Sequence, residues 1–188
     1  MSKISVSSPA AGTATYTISA PAGSTDRTIT LPDQTGTILT TATPGVPVNG
    51  PAFSAFMAAN QNVSSATFTK VQFNTKGFDT NTNYDIGLFR FTPTVAGYYQ
   101  VNAVCRDGTG SVTGVIGMFI YKNGAPVSVT YVGAAGYGPS PATAPLVYMN
   151  GSTDYLEVYY YQNSGATTAI NSTSSGSYFQ AFLARSAT

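Results

Sequence analysis

The sequence predicts an all-β fold, an antiparallel sandwich, and three observations carry that prediction. Apolar and polar residues alternate along several short stretches between Pro51 and Arg185, the period of strands with one face buried. Two Asn-Gly pairs stand between such stretches, and Asn-Gly supplies the two positive-φ residues of a type I′ hairpin turn. Charged residues make up 8% of the chain, against roughly 25% in ordinary soluble domains, while 43% are hydrophobic. Tyr, Thr, Ser, Asn and Gly fill the gap. Disorder requires low hydrophobicity and high net charge, so this composition suits a folded β-rich protein that buries much of its surface in an oligomer, and it suits a particle surface as well.

Two textures divide the 188 residues. Residues 1–46 are rich in Ser, Thr, Ala and Pro, with short strand-like pieces such as Thr15 to Ile18 and Thr28 to Leu31 between turn signals at Pro21 to Gly23 and Pro32 to Gly36. Too few large apolar residues are present for a core of its own, so this extended β arm is expected to order only by pairing with other chains or a host surface. A linker punctuated by Pro44, Gly45, Pro47 and Gly50 leads into the head, residues 47–188. There, Phe53, Phe56 and Met57 follow helical spacing, which leaves a short helix and a first strand both open. Val71 and Phe73 alternate with Lys70 and Gln72, and Phe89 and Phe91 flank Arg90. Tyr99, Val101, Ala103 and Cys105 line one face of a strand, with Gln100 and Asn102 on the other. Val115 to Tyr121 is apolar on both faces: Ile116, Met118 and Ile120 form one set, Val115, Phe119 and Tyr121 the other. Such a strand is expected to face the core on one side and a subunit partner on the other. Tyr178 to Leu183, with Phe182, has the same character. Asn123-Gly124 and Asn150-Gly151 are each expected to close a hairpin. In the run Tyr159-Tyr160-Tyr161, Tyr160 is in phase with Leu156 and Val158 and should face the core. Tyr159 and Tyr161 then face either a subunit seam, the preferred expectation, or the outside.

Composition also excludes chemistry. The chain has no histidine, which removes the commonest general base and a leading metal ligand. Its one cysteine, Cys105, cannot form an internal disulfide and reads as a small buried hydrophobe. The net charge of +1 comes from 8 basic and 7 acidic residues scattered singly, with no basic run for nucleic acid or anionic lipid. No apolar stretch reaches the roughly 18 residues of a membrane span. Neither a phosphate-cradling loop nor a nucleophile elbow is present. The carboxylate pairs Asp79 with Asp85 and Asp154 with Glu157 read as turn and surface residues before they read as glycosidase machinery. Asp107-Gly108-Thr109-Gly110 offers a single carboxylate, too little for the six to eight oxygens of a calcium site, and reads as a turn. No catalytic residue, cofactor or metal is expected. The segment from Gly133 to Pro145, rich in Gly, Ala and Pro, carries Tyr137 at its middle and follows Tyr131; it is expected to be either a long connector or a recognition loop.

Seven segments in order carry a resemblance to a known family: PAFSA at 51–55, FDT at 78–80, GLFRFTP at 87–93, TVAGYYQV at 94–101, IYKNG at 120–124, LVYMNGSTDYLEV at 146–158 and SYFQAF at 177–182. Together they resemble the complement-type (C-one-q) globular head, a relative of tumour necrosis factor. The resemblance implies a ten-stranded jelly roll that forms compact trimers, and it implies that PAFSA is a strand. Calcium binding occurs in some members. The Gly-X-Y collagen stalk common in that family is missing, which argues against a collagen-tailed animal protein. In the arm, APAGS at 20–24 followed by RTITLPDQTGT at 27–37 resembles a segment of bacteriophage tail-fibre and other virion proteins.

The expectation is therefore a non-enzymatic phage virion protein. Its arm would join other virion proteins and its trimeric head would project, as a fibre or fibre tip that binds host glycan or protein. The opening residues lack the apolar core of a secretory signal, which fits assembly in the host cytoplasm. A capsid decoration protein is the first alternative and a free lectin-like module the second. A polysaccharide-cleaving enzyme is third. Ile116, Met118, Ile120, Tyr159, Tyr161 and Phe182 are the expected core or trimer contacts, and Tyr131 and Tyr137 the expected recognition residues.

Overall fold

A computed structural model describes residues 50–108, 112–136 and 140–187. The arm, and with it the virion-like segment, lies outside the described residues, as do Thr109, Gly110 and Tyr137. In chain order the strands are β1 (Ala52–Phe56), β2 (Gln61–Val63), β3 (Thr69–Lys70), β4 (Thr75–Asp79), β5 (Tyr84–Asp85), β6 (Arg90–Phe91), β7 (Gly97–Val104), β8 (Val112–Lys122), β9 (Ala125–Gly136), β10 (Ala142–Thr143), β11 (Leu146–Met149), β12 (Leu156–Gln162), β13 (Thr168–Ile170) and β14 (Tyr178–Ser186).

Two sheets stack face to face. In the first the order is β7-β14-β1-β4, with β10 and β11 following one another along the free side of β7. The second runs β5-β6-β12-β8-β9, with β3 also on β12. A small β2-β13 pair closes one end. All ladders are antiparallel. The chain crosses directly from sheet to sheet after β3, β4, β6, β7, β9 and β11, the path of a jelly-roll sandwich. No helix occurs among the described residues, so none is long and apolar enough to cross a membrane.

The inner faces fuse into one aromatic core. Phe53 of β1 stacks on Tyr84 at 4.7 Å and on Phe91 at 4.5 Å, and meets the edge of Phe179 at 4.9 Å. Those rings come from β5, β6 and β14, so one side chain ties both sheets together. The inward sets expected on β7 and β12 are found, with Tyr99, Val101, Ala103 and Cys105, and Leu156, Val158 and Tyr160 all buried; of the two apolar sets of β8, it is Ile116, Met118 and Ile120 that face the core. Ile116, Met118 and Ile120 are thereby core residues and not seam residues. Val71 and Phe73 are buried too, although they lie just beyond the short β3. Burial pushes the Cys105 thiol up, away from a reactive thiolate.

One alternative left open by local pattern is settled, and two expectations need correction. The helical spacing of Phe53, Phe56 and Met57 gives way to strand β1, because β14 and β4 pair with it on both sides and satisfy its backbone. The resemblance had implied this strand. Asn123-Gly124 does close a two-residue hairpin between β8 and β9, with φ of 52° and 82°. Asn150-Gly151 closes none. There β11 pairs with β7 in the first sheet, whereas β12 pairs with β8 in the second, so the segment is a crossing between sheets. Only Gly151 has a positive φ, 73°, and the Asn150 side-chain oxygen accepts the N–H groups of Ser152, Thr153 and Asp154, each at 3.0 Å. That Asx-type capture holds a longer loop than a type I′ turn. Phe89 leaves the strand alternation as well: it sits at φ 52°, just before β6 begins.

Truncating the ring that joins the sheets should be costly. Phe53→Ala is expected to destabilise the fold by about 3–5 kcal/mol, whereas Leu88→Ala, at an exposed turn, should stay within about 0.5 kcal/mol. Urea unfolding of the two variants at one protein concentration checks this contrast.

Candidate functional site

The outward residues on the central strands of the first sheet form a face poor in charge, with Arg185 at its border. Tyr98, Gln100 and Asn102 come from β7, Gln180 and Phe182 from β14, Leu146 and Tyr148 from β11, and Ser54 from β1. Ladder register sets Phe182 opposite Gln100, Gln100 opposite Leu146, and Tyr98 opposite Tyr148. Leu146 is 60% exposed and Phe182 48%. Gln180 donates to Ser54 Oγ at 3.0 Å, and Gln100 to the Ala144 carbonyl at 3.0 Å. These amides are tied within the sheet and leave the apolar rings uppermost. A hollow of about 610 Å³ lies against Tyr98, Leu146, Tyr148 and Arg185.

The opposite outer face, on β8, β9 and β12, carries six touching rings: Phe68, Phe119, Tyr121, Tyr131, Tyr159 and Tyr161. Phe119 is at the centre, 5.0 Å from Phe68 and 5.5 Å from Tyr131; Tyr121 and Tyr159 meet at 4.4 Å, Phe68 and Tyr161 at 4.9 Å. Phe119 is only 4% exposed although it points away from the core. Other rings cover it, which is why a strand apolar on both faces needs no second core here. A Cβ on Gly117 would come within 2.8 Å of both Phe119 and Tyr131, so this glycine lets those two rings lie across the strand. Tyr159 and Tyr161 do share this outer face, as their phase required, and both are half-buried. Tyr131 belongs to β9 rather than to a loop, because β9 extends to Gly136. That extension shortens the expected recognition loop, whose Tyr137 lies outside the described residues.

Charge is confined to a few joints. Glu157, buried on β12, accepts from Lys70 Nζ at 2.6 Å and from Arg90 Nη2 and Nε at 2.8 and 3.1 Å, all on one oxygen. Arg90 lies 4.0 Å over the Tyr155 ring. At the β11–β12 crossing, Asp154 pairs with Lys122 at 2.8 Å and accepts from Asn123 Nδ2 at 2.7 Å and from the Asn150 N–H at 2.9 Å. Lys122 also donates to the Tyr148 carbonyl at 2.7 Å, so it bridges the two sheets. Asp79 accepts the N–H groups of Asn83 and Tyr84 and pairs with Lys76. Asp85 accepts those of Gly87 and Leu88. Each carboxylate of the two candidate pairs thus has a structural task. Among the described residues no three His, Cys, Asp or Glu side chains gather as a metal site.

No protein family matches the sequence, and no curated protein matches it significantly. Solved structures do match. The globular domain of zebrafish complement 1qA superposes with a TM-score of 0.53 at 18% identity, covering 73% of this chain and 99% of that one. Murine APRIL, in its pH 5.0 crystal structure, gives 0.58 at 9% identity, with 71% and 98% covered. The PRD1 vertex protein P5 gives 0.57 at 15% identity, with 72% and 98% covered. The fold is the complement- and tumour-necrosis-factor-like jelly roll that the sequence resemblance implied, and a vertex protein is among the proteins that share it.

The Asp154 joint should make stability depend on pH. Burial pushes this carboxyl up, but hydrogen bonds from Lys122, Asn123 and the Asn150 N–H outweigh it and hold the group below the usual carboxylate range. A lowered folded pKa contributes stability that is present above the unfolded value of about 4 and is lost as pH falls through the folded one. Asp154→Asn should therefore lower Tm at pH 7 and lose that deficit below about pH 4. Thermal unfolding of both proteins across this range checks the sign.

Proposed function

We propose that this chain is a non-enzymatic phage virion protein whose jelly-roll head trimerises and projects from the particle, as a fibre or fibre tip that contacts the host surface. The charge-poor, apolar first-sheet face carries the reading. Large exposed apolar patches mark interaction sites, and the centre of an interface is poor in charge and rich in aromatic residues. Closed three-fold rings are heterologous: each copy offers two different patches, and the ring closes only if they meet at an angle. Two opposite outer faces would stack into a filament. A face and the edge beside it can close.

The head has such an edge. Strand β9 ends the second sheet, runs for 12 residues without a charged side chain and exposes Val127, Val129 and Tyr131. A long bare edge of this kind invites pairing and is normally covered. In the proposed trimer the β9 edge of one copy covers the face of Tyr98, Leu146, Tyr148 and Phe182 on the next. Tyr159 and Tyr161 act behind that edge, through the ring cluster that braces Tyr131. Residues 1–46 would anchor the trimer to other virion proteins, in keeping with the tail-fibre-like wording of residues 27–37. The likeness to a vertex protein favours a second reading, in which the head projects from the capsid. Cryo-microscopy of the particle separates the two, by density at the tail tip or at capsid vertices and three-fold positions.

The purified chain should scatter light with about three times its 19.5 kDa mass at micromolar concentration. Phe182→Arg and Tyr131→Lys, one on each proposed half of the seam, should each give folded monomer. A monomeric parent, or two variants that both remain trimeric, would refute the seam.

A further inference from the structure

Beside Arg90, away from the β9 edge, lies an open hollow of about 490 Å³ with both polar and apolar walls. Thr82, Asp85, Leu88, Arg90, Thr92 and Thr94 line it. The ladder between β5 and β6 sets Asp85 opposite Arg90, so an acceptor and a donor group stand side by side on the outward face. Both are held in place. Asp85 Oδ1 accepts from Gly87 and Leu88 at 2.7 and 2.9 Å. Those two N–H groups hold its carboxyl below the ordinary range, so it is ionised at neutral pH. Arg90 is fixed by two bonds to Glu157 and by the ring of Tyr155. These bonds use two of its five donors. The floor is rigid as well: Asn83 accepts from the Thr94 N–H at 3.2 Å, and the Tyr84 hydroxyl donates to the Phe73 carbonyl at 2.9 Å. Of the four described non-glycine residues at positive φ, Thr82 lines the hollow and Phe89 adjoins it. Strained backbone of this kind collects at functional sites.

We infer that this hollow is a saccharide subsite, in which Asp85 and Arg90 bind neighbouring hydroxyls of one sugar ring and Leu88 packs on its apolar face. The pairing of charges selects the ligand class. A simple anion would be repelled by Asp85 and a simple cation by Arg90. A sugar hydroxyl donates and accepts at once, so adjacent hydroxyls satisfy a fixed acceptor and a fixed donor together. Three threonine side chains around the rim fit the same chemistry, and the exposed Leu88 supplies an apolar wall. Charge-assisted bonds of this type are the strong ones. This inference rests on the host-surface reading above and gives it an address on the head. It does not depend on the seam, since β5 and β6 lie at the far side of the second sheet from β9.

The test is saturation-transfer NMR on the full chain with glucose, galactose, mannose and N-acetylglucosamine. At least one sugar should show transfer. Asp85→Asn keeps the turn acceptor but removes the charge, and Leu88→Ala removes the wall; each should weaken binding by about tenfold or more. Thr167→Ala, at an exposed position just before β13 and away from both the hollow and the proposed seam, should bind as the parent does. Silence from all four sugars, or a signal that survives both substitutions, overturns the subsite. A monomeric chain that still binds sugar would sink the trimer alone, whereas a trimer with a silent hollow would sink this inference alone.

Discussion

The stacking of Phe53 between the two sheets is the contact on which the other features depend. The chain alternates between sheets at nearly every long connection, so no sheet is assembled from one continuous segment. Phe53 and Phe179 come from the first sheet, Tyr84 and Phe91 from the second. When these rings close on one another, strands far apart in sequence are fixed at once: β1 near the start of the head pairs with β14 at its end. The hollow beside Arg90 inherits its shape from this packing, because Tyr84 points into the core while its neighbour Asp85 points out. One strand of two residues thus serves the core on one side and a candidate site on the other.

The same logic governs the outer faces. A sandwich spends half of its strand positions on the core, and the remaining half is ordinarily polar. Here that half is divided. Rings occupy the second sheet, shielding Phe119 until it is nearly as buried as a core residue, and amides with apolar side chains occupy the first. A face of glutamine, tyrosine and leucine can leave water without the several kcal/mol that each buried unpaired ion would cost. Low charge in the composition is therefore a local property: it reflects particular surfaces from which charge is missing.

Legibility followed the range of the interaction. Alternation is written into neighbouring residues, so the inward set Tyr99, Val101, Ala103 and Cys105 could be read directly. Asn123-Gly124 was equally plain, since a two-residue turn depends on its own backbone. Asn150-Gly151 shows the limit of such reading. The same dipeptide crosses between sheets because β11 finds β7, about fifty residues earlier, and because the Asn150 side chain gathers three N–H groups ahead of it. Phe53 and Phe56 also misled local spacing, and only pairing with β14 and β4 settles them as strand. The candidate subsite was the least visible. By local pattern Asp85 is a turn carboxylate and Arg90 the polar member of a strand, and Glu157, which fixes Arg90, lies far along the chain. Tyr131 was read beside a loop, although its ring belongs to the cluster around Phe119 and Gly117, a contact set by strand pairing across β8 and β9.

With so few charges, their placement becomes informative. Lys122 with Asp154 joins the sheets at one end, and Lys76 with Asp79 steadies the connection toward β5. Lys70 and Arg90 converge on Glu157 at the side of the second sheet remote from β9. None of these ion pairs lies along the β9 edge, and the face of Tyr98, Leu146, Tyr148 and Phe182 meets charge only at its border, where Lys122 lies 5.6 Å from the Tyr148 ring and Arg185 lines that face's hollow. Were charge distributed only for solubility, it would be most useful on those two apolar surfaces, where it would oppose association. It is instead concentrated at joints and around the hollow, where fixed polar groups orient a ligand or lock a loop. The molecule keeps apart the surfaces suited to meeting copies of itself and the surface suited to meeting something polar. That separation suits the trimeric head proposed above, in which copies meet through apolar surfaces and leave the hollow beside Arg90 free.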